Sequence, residues 1–229
     1  MTSSQLSYPL VLVNLKTYKE STGKKAIELA KTAEKVTMET GICVAVSPQT
    51  VNLDAVIRAS NATVFAQHID PIDPGRNTGH ILPEALVEVG CIGTLISHSE
   101  RRLEIDAIEK RIVKAKEVGL MQVVCVDTVD RGRTVAHFNP DAIAIEPTEL
   151  IGTGIPVSKA KPEVVSGAVE AVRNVDREIK VLCGAGITSG QDVAAALKLG
   201  AKGVLVASGV VKADSPYEKM LDLAQAMIP

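Results

Sequence analysis

The chain carries almost no net charge: 25 Lys and Arg stand against 27 Asp and Glu, interleaved along 229 residues. That balance points away from nucleic acid and from an anionic membrane as partners, because both are held chiefly by clustered positive charge. No apolar run approaches the roughly 20 residues a bilayer span requires, and no cationic, apolar leader opens the sequence. A cytoplasmic protein with a small-molecule partner is the expectation. Cysteine is scarce and has no paired spacing: Cys43, Cys91, Cys125 and Cys183 lie far apart, each in or beside an apolar segment, without a C-x-x-C. They read as reduced core thiols, not as a disulfide framework. Neither a Walker sequence nor G-x-G-x-x-G occurs, so nucleotide binding has little support. There is also no linker, low-complexity tract or charge block to mark a domain boundary.

What is present is a rhythm. Short apolar runs at 10–14, 42–46, 63–67, 93–97, 122–126, 142–146, 180–183 and 203–207 read as strands. Longer stretches such as 24–39, 101–118, 161–175 and 191–199 carry apolar residues three and four apart, as helices do. Strand and helix in alternation imply a parallel sheet, since parallel neighbours need a crossover and a helix supplies it. Eight units leave about 29 residues each, near the roughly 30 of a βαβ unit. The fold class is therefore α/β, a (β/α)8 barrel in one domain spanning residues 1–229. The fifth unit is the weak one. Only 129–137 is free for its helix before Asn139-Pro140 breaks the pattern, so that helix is expected to be missing or reduced to a turn.

Side chains alternate between the faces of a strand. In the sixth run Ala142, Ala144 and Glu146 share one face, while the larger Ile143 and Ile145 share the other. The isoleucines are expected on the helix ring, which points Glu146 into the barrel mouth. In the first run Leu10, Leu12, Asn14 and Lys16 share a parity, placing an amide and an ammonium at the same end. At the end of the fourth run Ser97-His98-Ser99-Glu100-Arg101-Arg102 adds a histidine, two hydroxyls and a carboxylate, where such a barrel keeps its chemistry. A histidine and a carboxylate at two strand ends suggest proton transfer. Gly184-Ala185-Gly186 and Ala207-Ser208-Gly209 follow the last two runs, where small residues let backbone N–H groups approach a phosphate. Plainer readings exist for each: a salt-bridged strand-end glutamate, a solvated lysine, ordinary turn glycines. Ser97 to Glu100 also matches a capping box at the start of a helix.

Taken together, Asn14-Leu15-Lys16, Ala66-Gln67, Thr78-Gly79, Ser97 to Arg102, Glu146-Pro147 and Ile151-Gly152-Thr153-Gly154 resemble, in order, the motifs of the triosephosphate isomerase family in its short archaeal form. The resemblance covers essentially the whole length and implies a TIM barrel. It implies an aldose-ketose isomerase of glycolysis and gluconeogenesis, acting on a phosphorylated triose without metal or organic cofactor. Glu146 would be the general base, His98 a neutral electrophile, and Lys16 the stabiliser of negative charge. Asn14 would orient substrate, with Glu100 supporting through Lys16. The phosphate would meet Gly186, Ala207 and Ser208, and the backbone of Ile151 or Gly152 on a lid spanning 147–154. Gly186 replaces the family's usual serine, Ala207-Ser208 its usual glycine pair, and Thr148-Glu149 a common valine and tryptophan; the chain has no tryptophan at all. The long segment His68 to His80 would insert into a second subunit, Thr78 reaching the partner subunit's Asn14. A homo-oligomer follows, a dimer at least, and a tetramer by analogy with archaeal forms that share the short fifth unit. The rivals are another phosphate-binding barrel enzyme and a catalytically inert homologue that retains sugar-phosphate binding.

Overall fold

The computed structural model describes residues 6–147 and 161–228. The apolar runs form eight strands: β1 Leu10–Asn14, β2 Cys43–Ser47, β3 Phe65–Ala66, β4 Gly93–Ile96, β5 Met121–Val126, β6 Ala142–Ile145, β7 Lys180–Cys183 and β8 Gly203–Val206. They lie parallel in the order β2-β1-β8-β7-β6-β5-β4-β3. A bridge from Val46 to Val64 brings the two ends of that order together. Eight parallel strands thus make a nearly closed barrel, as the alternation predicts.

Helices on the outside are α1 Lys24–Thr40, α2 Leu53–Ala59, α3 Pro83–Val89, α4 Ile105–Val118, α5 Val129–Ala136, α6 Pro162–Arg173, α7 Gly190–Lys198, α8 Ser208–Val211 and α9 Pro216–Gln225. Each buries one stripe. In α1 the stripe is Ala26, Leu29, Ala30, Ala33 and Val36, spaced by three and four, and the helix stops where Gly41 turns left-handed. The predicted parity of the strands holds. Ala142, Ala144, Leu10, Leu12, Leu95 and Leu182 fill the barrel interior, whereas Ile143 and Ile145 pack outward with Ile108, Ile112 and Val135. Gly93 makes room inside, since a Cβ there would stand 2.4 Å from the Phe65 ring. All four cysteines are buried and none is in a disulfide. Among the described residues no helix is long and apolar enough to cross a membrane.

Two local expectations need correction. The fifth unit is short, but its helix is present: Thr128 caps α5 by accepting a hydrogen bond from the Arg131 N–H at 3.2 Å, and two turns are complete before Asn139 breaks the run. Nor does Ser97 open a capping box at the start of a long helix. A single 3-10 turn, Ser99–Arg101, intervenes, and α4 begins only at Ile105. Ser97, at φ 59°, instead accepts from the Leu103 N–H, while His98 caps the short turn. The hydroxyl serves the connection into α4 and the histidine serves the turn.

The long segment after β3 has its neck tied from below. Asp70 accepts from the Ile81 N–H at 2.9 Å and its own N–H donates to Ile81 O, closing the loop. Arg111 of α4 donates to Ile69 O at 2.9 Å and to Asp70, and Lys114, one turn further on, reaches both Asp73 and Glu84. Beyond that neck Thr78, Gly79 and His80 are exposed, as is His137 at the end of α5.

Candidate active site

The end of β1 sets the first part of the site. Asn14 is buried and its Oδ1 accepts the Lys16 N–H at 2.9 Å, which holds Lys16 at φ 47°, a left-handed conformation uncommon for a side-chain-bearing residue. That turn swings the Lys16 side chain across the mouth, where its Nζ meets Glu100 Oε1 at 2.9 Å. The Gln67 amide braces the turn from β3, donating to Lys16 O and to Ser47 O at 3.0 Å each, with Asn14 Oδ1 at 3.4 Å. Gln67 belongs to a recognised motif, yet nothing in its spacing announces this bracing role. It is visible only once three strand ends converge.

His98 follows β4 and is 9 % exposed. Its Nδ1 accepts the Glu100 N–H at 3.2 Å, so in the neutral ring the proton sits on Nε2. That nitrogen faces Glu146, 3.8 Å from Oε1. Burial, reinforced by the positive charge of Lys16, depresses the imidazole to about 4, only partly offset by Glu100. The imidazole is therefore neutral at physiological pH, and the causes are desolvation and Lys16.

Glu146 stands one residue beyond β6, kept in line by its N–H to Val126 O at 2.7 Å. Its carboxylate is 5 % exposed, and burial raises its pKa to about 7 despite a hydrogen bond from Cys125 and the nearby Lys16. Oε2 has no hydrogen-bond partner among the described residues. Gly184, just after β7, leaves the space this side chain occupies: a Cβ there would fall 2.5 Å from Glu146 Cγ. Cys125, expected only as a core thiol, and Gly184, expected in a phosphate-binding turn, are thus both neighbours of the carboxylate. Strand parity could have placed Cys125 there, since it faces the interior beside Ala144.

Asn14, Lys16, His98, Glu146, Gly186, Ala207 and Ser208 line one cavity of about 190 Å³ together with Tyr18, Gly184 and Gly209. Glu100 lies at its rim, 61 % exposed. In the same cavity Ser208 and Gly209 begin the one-turn α8, so their N–H groups precede any helical acceptor and, among the described residues, take no backbone partner, which suits them to an anion. Gly186, at φ 72°, turns beside them. Ile151 and Gly152, and the lid expected over 147–154 apart from the buried Pro147, lie outside the described residues. Also among the described residues, no three of His, Cys, Asp and Glu gather in a way that could hold a metal ion.

A parallel barrel with a buried carboxylate, a neutral imidazole and an ammonium converging at the carboxyl ends of its strands is an acid-base enzyme for a small anionic substrate. The chain belongs to the triosephosphate isomerase family, whose model matches residues 9–227. It is 54 % identical over 214 residues to the triosephosphate isomerase of Methanocaldococcus jannaschii, covering 93 % of this chain and 98 % of the relative. The same named enzyme of Methanobacterium bryantii is 51 % identical, covering 94 % and 95 % respectively. That of Methanothermobacter thermautotrophicus is also 51 % identical, covering 94 % of both chains.

Proposed function

We propose that this chain interconverts dihydroxyacetone phosphate and D-glyceraldehyde 3-phosphate through an enediolate, with Glu146 as the base. Glu146 removes a proton from the carbon next to the carbonyl, and His98 Nε2–H donates a hydrogen bond to the carbonyl oxygen as the electrons move onto it. The carboxyl then returns the proton to the neighbouring carbon, while His98 moves a proton between the two oxygens. Lys16 holds the negative charge of the enediolate and of the phosphate, and Asn14, braced by Gln67, fixes Lys16. The phosphate lies at the opposite end, against Gly186, Ala207 and Ser208. These roles match what the handling of acid and base in this family is known to require; what supports them for this chain is one observation. A carboxylate and an imidazole 3.8 Å apart are both pushed toward their neutral forms by the same buried cavity. The test is turnover of D-glyceraldehyde 3-phosphate in a coupled spectrophotometric assay by the parent and by Glu146→Gln. Rapid turnover that drops by orders of magnitude in the variant is expected, and an inactive parent would overturn the reading.

Ile151 and Gly152 enter the proposal as backbone donors to the phosphate on a closing segment, tested by hydrogen exchange across 147–154 with and without phosphoglycolate. The reading includes a homo-oligomer of at least two subunits, a tetramer by analogy, with Thr78 near the partner subunit's Asn14. Support comes from the tied neck and exposed tip of the loop after β3. A monomer that is fully active in light scattering at assay concentration would refute it. Four buried cysteines outside any disulfide suit a reducing cytoplasm.

A further inference from the structure

The catalytic lysine does not bring an uncompensated charge to the cavity, since Lys16 is paired with Glu100 at 2.9 Å and Glu146 lines the same space. A dianionic substrate entering there meets two carboxylates for one ammonium. A further cation stands close by. Lys212 closes α8, its N–H bonded to Ser208 O at 3.0 Å, and its Nζ lies over the ring of Tyr18, 4.3 Å from the centroid. Tyr18 in turn lines the cavity beside Ser208 and Gly209, so Lys212 stands one aromatic ring from the phosphate end. The backbone that carries the ring is held because the Tyr18 carbonyl accepts hydrogen bonds from the Ser21 N–H and the Thr22 hydroxyl.

A lysine over a tyrosine is a common way to cover a surface ring, and the chain contains a plain instance. Lys35 sits 4.0 Å over Tyr217, but there Glu39 lies 3.8 Å from the ammonium and accepts the phenol hydroxyl as well. That pair is neutralised, and neither residue lines the cavity. Among the described residues Lys212 has the Tyr18 ring as its partner and no carboxylate, which leaves its charge to act on an anion in the cavity.

We propose that Tyr18 and Lys212 form an accessory wall that selects the phosphorylated substrate, Tyr18 holding the lysine in place and Lys212 supplying the unpaired positive charge. This rests on the isomerase reading above. Lys212 touches none of the reacting atoms; it acts on the remote phosphate, and its effect belongs to capture of the dianion and not to the proton transfer. The aromatic ring matters as a support: a cation attracted to the ring face spends less time extended into solvent.

The test is steady-state kinetics of the full-length protein on D-glyceraldehyde 3-phosphate and on the unphosphorylated D-glyceraldehyde. Lys212→Gln is expected to raise KM for the phosphorylated substrate about three- to tenfold, the size of effect one exposed charge has on a charged ligand. It should leave kcat within about twofold and kcat/KM for the neutral aldehyde unchanged. Added salt should shrink the difference between parent and variant, Lys212→Arg should restore the parent value, and Tyr18→Leu should make KM for the phosphorylated substrate insensitive to a further Lys212→Gln change by having already released the lysine. Equal losses on both substrates, or an unchanged KM for the phosphorylated one, would overturn the proposal while leaving the isomerase reading intact. A parent that neither turns over the phosphorylated triose nor binds phosphoglycolate would overturn both.

Discussion

Replacing Gly184 by alanine measures how closely the base is held. A Cβ at this position would stand 2.5 Å from Cγ of Glu146 and 3.2 Å from its Cδ and Oε1. Unstrained carbon contacts lie at about 3.5–4.0 Å, so the glutamate side chain has to retreat by about 1 Å. Gly184 does not have a positive φ, and its N–H to Ile145 O at 3.0 Å is unaffected by a methyl group, so alanine brings no backbone strain. The consequences are then two. Overpacking lowers stability by about 1–3 kcal/mol, and a shift of about 1 Å in a reacting group lowers the rate on the order of 10²-fold. The expected result is a hundredfold fall in kcat with KM changed far less, measured in the coupled assay beside a thermal unfolding curve. The same substitution is made in a Glu146→Gln background. If the methyl group acts through the base, the double variant is scarcely slower than Glu146→Gln alone, because coupled residues do not contribute additively. Full parent activity in Gly184→Ala, or a loss that persists undiminished in the double variant, would refute the reasoning.

The other predictions concern the same residues and their supports. Glu146 titrates at about 7 in the folded protein against about 4.5 when exposed, so its contribution to stability is complete below 4.5 and is lost as pH rises to 7. At 1.36 kcal/mol per pH unit the loss is roughly 3 kcal/mol. His98, at about 4 against 6.5, works in the opposite sense, adding stability as pH rises from 4 to 6.5. The two slopes nearly cancel between 4.5 and 6.5 in the parent. Glu146→Gln should uncover the histidine slope and melt above the parent at pH 8; calorimetry showing parallel pH profiles would count against the pair. In the parent kcat/KM should fall below pH 7 as the base takes up its proton. Gln67→Ala removes the donor to Lys16 O and Ser47 O, and a stability loss of about 1–2 kcal/mol with roughly tenfold lower kcat is expected from unfolding curves and kinetics. Asp70→Ala strips partners from His68, Arg111 and the Ile81 N–H, so about 2–4 kcal/mol is lost, and sedimentation should show weaker subunit association; an unchanged melting curve would show that the neck is not held this way.

Strand parity carried most of what could be read before the structure. The alternation of Ala142, Ile143, Ala144 and Ile145 was enough to place Glu146 in the mouth, because a strand flanked by helices outside and packed residues inside has only two faces. Asn14 and Lys16 were legible for the same reason, although Lys16 reaches the cavity through a left-handed turn that no alternation foretells. What periodicity could not give was anything decided by two chain segments meeting. Gln67, Gly184, Cys125 and Tyr18 each act on a residue of another strand or loop, well separated in sequence, and each is a residue type with an ordinary local explanation. The helix α5 was under-read because a breaking Asn139-Pro140 dominated the reading, while its start depends on one threonine hydroxyl. The supposed capping box failed for a related reason: the spacing of Ser97 and Glu100 is right, but positive φ at Ser97 sends its hydroxyl to Leu103 instead.

The chemistry of the pair follows from one physical cause acting on two kinds of group. Removing water penalises whichever form is charged, so burial raises a carboxyl and lowers an imidazole at the same time. Glu146 becomes a base matched to neutral pH, and His98 becomes a neutral donor, without a separate device for each. Lys16 then breaks the symmetry. Its positive charge lowers both groups, keeping Glu146 from being pushed well above 7, and holding His98 further from its charged form. Glu100 opposes it on both, and it is tied to Lys16 at 2.9 Å while standing at the exposed rim. The lysine therefore has a part in setting protonation before any substrate arrives, in addition to steadying the charge that develops afterwards. A site that needed Lys16 only for the second purpose could place it beside the phosphate turn; instead Asn14 and Gln67 hold it in a left-handed turn within reach of both titrating groups.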